Sequence, residues 1–216
     1  MTHREQVAPD RRLGVLDELS DEQLMLRFAQ GDPRAFDALI GRHYQPVFNF
    51  LVRNTGNTAT AEELLQDVFM RVMSGAKKYE KRAKFTTWLY TIAKNIVIDH
   101  ARKQKFRRHK SLDAPIGSDD ERSLGDLVQD DHPSVMADRR FTDEQFKQRL
   151  DVAMGGMNED QRMVFVLREF QQLSFQEIAQ IVVTSENTVK SRMRYALEFL
   201  RNALRDFSDE AALCSF

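Results

Sequence analysis

The stretch from Leu173 to Leu204 constrains this chain more than any other, because its spacing fits two helices joined by a tight turn. Ser174 followed three residues later by Glu177 is a capping-box start, and Phe175, Ile178, Ala179 and Ile181 then form an inward-facing set. Thr184, Ser185 and Asn187 supply caps for a second helix, in which Val189, Met193, Ala196, Leu200 and Leu204 make one apolar stripe. The opposite face carries Lys190, Ser191, Arg194, Tyr195, Arg201 and Arg205. These are cations and hydrogen-bond donors on a cylinder narrow enough to enter a DNA major groove. A short capped helix, a brief turn and a longer helix with basic residues near its N-terminus is the layout of a helix-turn-helix. An ordinary helical hairpin with a solvated basic face has the same periodicity, so the rest of the chain must separate the two.

No segment shows the strict alternation of a half-buried strand, and the fold class is therefore all-α: two small helical domains joined by an acidic flexible linker. Residues 1–19 form an N-terminal extension, and 20–110 read as a bundle whose helix starts are marked by caps. Ser20 with Gln23 opens the first helix; Gly31-Asp32-Pro33 stops it and starts a second, in which Pro46 predicts a kink. Asn54-Thr55-Gly56-Asn57 reads as a turn, Thr60 with Glu63 as the cap of a third helix, and a fourth runs from Phe85 into a basic run ending at Lys110. Residues 111–141, with Pro115, Gly117, Gly125 and Pro133, are the linker. The second domain, 142–205, should open at a cap of Thr142 and Gln145, break at Gly155-Gly156, restart at Asn158 with Gln161, and end in the helix-turn-helix. The tail, 206–216, carries no clear signal.

The net charge of −1 argues by itself against a nucleic-acid binder, which makes its distribution decisive. Between Ser111 and Arg139 lie eight acidic residues against two basic ones, a local charge of −6, which leaves +5 elsewhere. Just before this stretch Arg102, Lys103, Lys105, Arg107, Arg108 and Lys110 form a run of cations. The single cysteine, Cys214, excludes an internal disulfide, and the five histidines have no metal-ligand spacing, so neither metal nor cofactor is expected. No segment has the length of a signal peptide or a membrane span, which predicts a cytoplasmic protein without membrane insertion.

Four blocks of residues resemble one family. Leu173-Ser174-Phe175-Gln176-Glu177-Ile178-Ala179 with Asn187-Thr188-Val189-Lys190-Ser191-Arg192 is similar to the promoter-reading helix-turn-helix of bacterial RNA polymerase sigma factors of the extracytoplasmic-function (ECF) type, where LSYEEIA and GTVKSR are usual. Ala61 to Phe69, AEELLQDVF, resembles the family's segment that docks on a coiled coil of the polymerase largest subunit. Phe85 to Asn95, FTTWLYTIAKN, resembles its promoter-melting segment, and Ile98 to Lys103, IDHARK, the stretch near the −10 element.

The resemblance implies that 20–110 is sigma region 2 and 142–205 sigma region 4, with core RNA polymerase and promoter DNA as partners. Many relatives are also held by an anti-sigma factor. It implies −35 contacts for Thr188, Lys190, Ser191, Arg192, Arg194 and Tyr195, with Thr188 and Arg192 on phosphates. For the −10 element and melting it implies Lys84, Phe85, Trp88, Asn95, His100, Arg102 and Lys103, and for polymerase docking Glu63, Gln66 and Asp67. Arg82 and the basic run could track phosphates, and Tyr79 and Tyr90 are further aromatics. Three positions depart from the family. Val183 stands where Gly usually supplies a left-handed backbone, and Tyr195 and Leu197 stand where Arg is frequent, which implies an unusual promoter sequence.

Physical chemistry supports a partner enzyme. Opening duplex costs about 1.4 kcal/mol per step, so a bubble of roughly ten steps costs about 14 kcal/mol. A base stacked on an aromatic face returns only about 1–3 kcal/mol, and a domain this small cannot hold the bubble alone. An autonomous helix-turn-helix regulator acting as a dimer is the alternative. A DNA-modifying enzyme is set aside, because no acid/base pair, nucleophile or phosphate loop is present.

Overall fold

The computed structural model describes residues 16–80, 83–112 and 137–205. Residues 113–136 of the expected acidic linker, Arg82, most of the N-terminal extension and the tail from Asp206 lie outside these. Among the described residues there are eight α-helices and no strand.

In the first unit α1 (Asp21–Ala29) starts at the Ser20–Gln23 capping box, closed by Ser20 N–H to Gln23 Oε1 at 2.8 Å. Asp32 caps α2 (Pro33–Thr55), with Pro33 in the first turn where its missing N–H costs nothing. The helix runs unbroken through Pro46 and takes in Asn54 and Thr55, where the sequence pattern predicts a turn. Gly56 ends it at φ 68°, a left-handed backbone that glycine adopts without steric cost. The cap of α3 (Thr58–Gly75) is Asn57 rather than Thr60: the Asn57 carboxamide oxygen accepts the Thr60 N–H at 2.7 Å. A short 3₁₀ turn, Ala76–Lys78, leads toward α4 (Phe85–Leu112), which incorporates the basic run. Glu22 on α1 accepts the Phe85 N–H at 2.9 Å, satisfying one of the orphan donors at the start of α4. Leu24, Met25, Leu39, Phe50, Leu51, Val68, Phe85 and Leu89 fill the core between these helices.

In the second unit α5 (Ala137–Gly156) begins five residues before the expected Thr142 start and carries through both glycines. Asn158 caps α6 (Glu159–Glu169), Ser174 caps α7 (Phe175–Val182) through a capping box with Glu177, and Ser185 caps α8 (Glu186–Ala203). Met154, Leu167, Ile178, Ile181, Val189 and Ala196 are buried among them.

The two units lie against each other. α7 lies against α4 and α6 against α2. Lys84 Nζ reaches Glu177 at 2.9 Å, Lys105 Nζ reaches Glu159 at 3.0 Å, and the Tyr90 hydroxyl donates to the Gln171 carboxamide oxygen. Gln171 Nε2 donates to the Pro46 carbonyl at 3.4 Å, and the Arg53 guanidinium sits 3.9 Å over the Phe170 ring.

Candidate nucleic-acid interface

On α8 the apolar stripe Val189, Met193, Ala196 and Leu200 is buried, so the helix has one orientation only and turns its polar face outward. Lys190, Ser191, Arg194, Tyr195 and Arg201 are exposed on it. The Arg194 guanidinium lies 5.1 Å from the Tyr195 ring and donates to its hydroxyl at 3.4 Å, so the two side chains form one amphipathic unit. Lys190 is held by Glu186 at 2.7 Å, one turn earlier on the same helix.

Two of the expected phosphate contacts are already engaged. The Thr188 hydroxyl pairs with the Ser185 hydroxyl at 2.8 Å inside the helix cap. Arg192 reaches Asp160 on α6 at 2.5 Å and is largely covered, which fixes the reading helix to its support. Leu197 is exposed beside the basic residues.

The turn before α8 resolves the Val183 departure: the backbone is left-handed, with φ 55° and ψ 58°, and the isopropyl group is 78% exposed. A β-branched residue is strained there. The turn is nonetheless closed by the Val183 N–H and the Thr184 N–H, which both donate to the Ala179 carbonyl, the latter at 3.1 Å.

On α4 the expected residues divide between surface and core. Asn95, Arg102 and Lys103 are exposed, and Lys84 stands just before the helix with its ammonium on Glu177. Phe85, expected at the melting segment, lies in the core. It is 1% exposed, packed against Tyr79, Trp88 and His43, and presents no ring face to a base. Tyr79 and Tyr90 are buried too, and burial pushes the Tyr90 hydroxyl well above its ordinary pKa. Trp88 is half-buried, tilted against Tyr79 with centroids 5.1 Å apart. Its indole closes over Gly75, where an added Cβ would meet ring carbon Cζ2 at 3.0 Å. His100 is partly buried, its Nε2 without a hydrogen-bond partner.

The residues expected at the polymerase contact lie together. Glu63, Gln66 and Asp67 are exposed on α3, opposite the buried Ala61, Leu64, Leu65, Val68 and Val72. The helical repeat extends their face to Met70 and Met73, which are 64% and 46% exposed. Sequence reasoning missed these two methionines; their spacing from Asp67, off the core stripe, was the available signal.

Glu177 ties the start of α7 to the residue just before α4. Burial pushes its carboxyl up, but hydrogen bonds from Lys84 and from the Ser174 hydroxyl and N–H outweigh that and hold it at about 2. The same contact raises the Lys84 ammonium.

Among the described residues no group of histidine, cysteine and acidic side chains could hold a metal, and no helix is long and apolar enough to cross a membrane. Residues 39–107 match the family described as Sigma-70 region 2, and 147–200 the family described as Sigma-70, region 4. The RNA polymerase sigma factor CarQ of Myxococcus xanthus is 32% identical over 188 residues, which span 87% of this chain and 99% of CarQ. The RNA polymerase sigma-H factor of Pseudomonas aeruginosa is 28% identical over 91% of this chain and 100% of its own. The ECF RNA polymerase sigma factor SigW of Bacillus subtilis is 28% identical over 88% and 99%. Among solved structures, the sigma factor RpoE in complex with the anti-sigma factor NepR from Bartonella quintana superposes with a TM-score of 0.63 at 21% identity, covering 79% of this chain and 96% of that one. CnrH in complex with the cytosolic domain of CnrY gives 0.60 at 22%, covering 86% and 97%.

Proposed function

This chain belongs to the RNA polymerase sigma factors of the ECF type, and from that premise we propose how its residues divide the work of promoter recognition. It is a promoter-specific transcription initiation factor acting with core RNA polymerase, and such factors are not in general enzymes. In this reading the chain does no chemistry of its own and works in the cytoplasm, where polymerase and chromosome are. The domains run over 20–110 and 142–205, with the first residues of α5, from Ala137, ahead of the second.

The exposed basic face of α8 is the observation that carries the proposal. Lys190, Ser191, Arg194 and Tyr195 read base edges of the −35 element in the major groove. Arg192 acts through Asp160 to hold the helix in register, and Thr188 acts through the cap. On α4, Asn95, Arg102 and Lys103 meet the −10 element with Lys84, while Trp88 is the aromatic placed to receive an unstacked base and Phe85 supports it from the core. Glu63, Gln66 and Asp67 dock on core polymerase, and Met70 and Met73 add the adaptable apolar surface such interfaces favour. Two structural neighbours were solved with anti-sigma factors or a partner's cytosolic domain, which supports including an anti-sigma partner.

Run-off transcription from a set of promoter fragments, with core polymerase and with or without this protein, tests the reading. Promoter-selective transcripts should appear only when the protein is present. An autonomous helix-turn-helix regulator would bind duplex and leave core polymerase unselective.

A further inference from the structure

Among the described residues no aromatic ring is more open than that of Phe106, 70% exposed on α4. A lone exposed apolar side chain is ordinary, so its surroundings decide what it means. Trp88, Asn95 and Arg102 follow one another at seven-residue steps, and Phe106 comes four residues after Arg102. From Trp88 to Phe106 the helix makes about five turns, which puts both rings on one face of α4, about 27 Å apart along its axis. Asn95, Arg102 and Phe106 are all exposed. Asp99, the one acid between Asn95 and Arg107, stands 4.0 Å from Arg71. From Arg102 to Lys110 the sequence has six cations and no acid, over about 12 Å of helix. A duplex carries about seven phosphate charges over that length, and a stacked single strand about three or four. Six cations, or five while Lys105 holds Glu159, exceed what a single strand can take up and suit a duplex. A second copy of this chain would bring the same cations and be repelled.

We infer that Phe106 reads a thymine methyl group in the major groove of duplex DNA adjoining the segment met by Asn95 and Arg102, and so adds a base preference to this face. The ring offers an apolar contact and neither a hydrogen-bond donor nor an acceptor, so the base it selects is the one that presents a methyl group. The flanking cations hold phosphates, which fixes the helix on the duplex but carries no sequence information. Phe106 supplies that information. The inference extends the reading of α4 as the −10 helix and rests on it for the place of the contact in a promoter. An unpaired base stacked on the ring is the competing contact, and it depends on the π-face rather than on the methyl group.

The test titrates the full chain, at about 50 mM salt, into two fluorescent duplexes and follows their anisotropy. One duplex alternates thymine with adenine and the other uracil with adenine, so they differ in the methyl group alone. Burying one methyl group is worth about fourfold, and the native chain should bind the thymine duplex tighter by that factor. Phe106→Ala should bring the ratio close to one, while Phe106→Leu, which keeps an apolar tip, should retain most of it. Both variants meet the same pair of duplexes, so a difference in duplex shape cancels in the comparison. With the ring 70% exposed, neither substitution should move the thermal midpoint. A native chain that binds neither duplex or binds both equally, or a preference that Phe106→Ala leaves undiminished, overturns the inference. So does a loss confined to single strands of thymidine and of deoxyuridine, equal for the two and shared by Phe106→Ala and Phe106→Leu, which is the mark of stacking. Failure of run-off transcription with core polymerase would remove the promoter reading and leave the duplex preference standing.

Discussion

Replacing Val183 by glycine should stabilise the helix-turn-helix, an unusual outcome for removing an aliphatic side chain. At φ 55° and ψ 58° the valine is left-handed, which costs an L-residue about 1–2 kcal/mol, with β-branching toward the upper end. The side chain is 78% exposed, so its loss sacrifices little burial. Glycine relieves the strain but brings a more flexible unfolded chain, worth about 0.5–1 kcal/mol against it. The net gain is about 1 kcal/mol. If the second unit melts alone this raises its midpoint by roughly 4–8 °C, and if the chain melts as one by roughly 2–4 °C. Thermal and urea denaturation followed by circular dichroism measure it directly. Val183→Ala is the informative control, since it keeps the Cβ that causes the strain and should recover only a minor part of the gain. Destabilisation by glycine, or an equal gain from alanine, would refute the strain argument.

Four further outcomes are expected. Arg194→Ala should cost about 1–3 kcal/mol of binding and relax preference at one or two base pairs of the upstream element, whereas Arg201→Ala should act weakly and without sequence preference; equal effects across promoter variants would remove the assignment. Asp67→Arg places a like charge in the docking face, where the penalty is several kcal/mol, so affinity for core polymerase should drop while the thermal midpoint holds; an unchanged titration would mean that α3 faces elsewhere. Because the Glu177 carboxyl is held at about 2 against an ordinary 4.5, its stabilisation is complete above about pH 4.5 and is lost as pH falls toward 2. The midpoint difference between the native chain and Glu177→Gln should therefore shrink across that window, and a difference independent of pH would contradict it. Gly75→Ala should displace the indole above it and shift the emission of Trp88, the single tryptophan, while Ser74→Ala leaves the spectrum alone; identical spectra would show that the ring is not seated on Gly75.

Features encoded over three or four consecutive positions were legible before any coordinates. The capping boxes at Ser20 and Ser174, the Asp32-Pro33 start, the core stripe of α8 and its basic outer face depend on helical periodicity and on side chains reaching their own backbone. Where two local caps competed the reading slipped: Asn57 rather than Thr60 starts α3, because the Asn57 carboxamide oxygen accepts the Thr60 N–H three residues on and leaves Thr60 inside the helix. The left-handed turn at Val183 was foreseeable only as a conflict between the residue and the bend it occupies, and the αα-corner, anchored by Ile181 and Val189 in the core, imposes the bend. Periodicity could not tell Phe85 from Trp88, since both lie on the inward side of α4; what separates them is that Phe85 sits under Tyr79 and His43 while Trp88 lies at the edge over Gly75. Nor could it pair Lys84 with Glu177 or Tyr90 with Gln171. Those partners are far apart in the chain and meet only because α7 packs on α4, and a long-range contact depends on the packing of whole helices rather than on any local pattern.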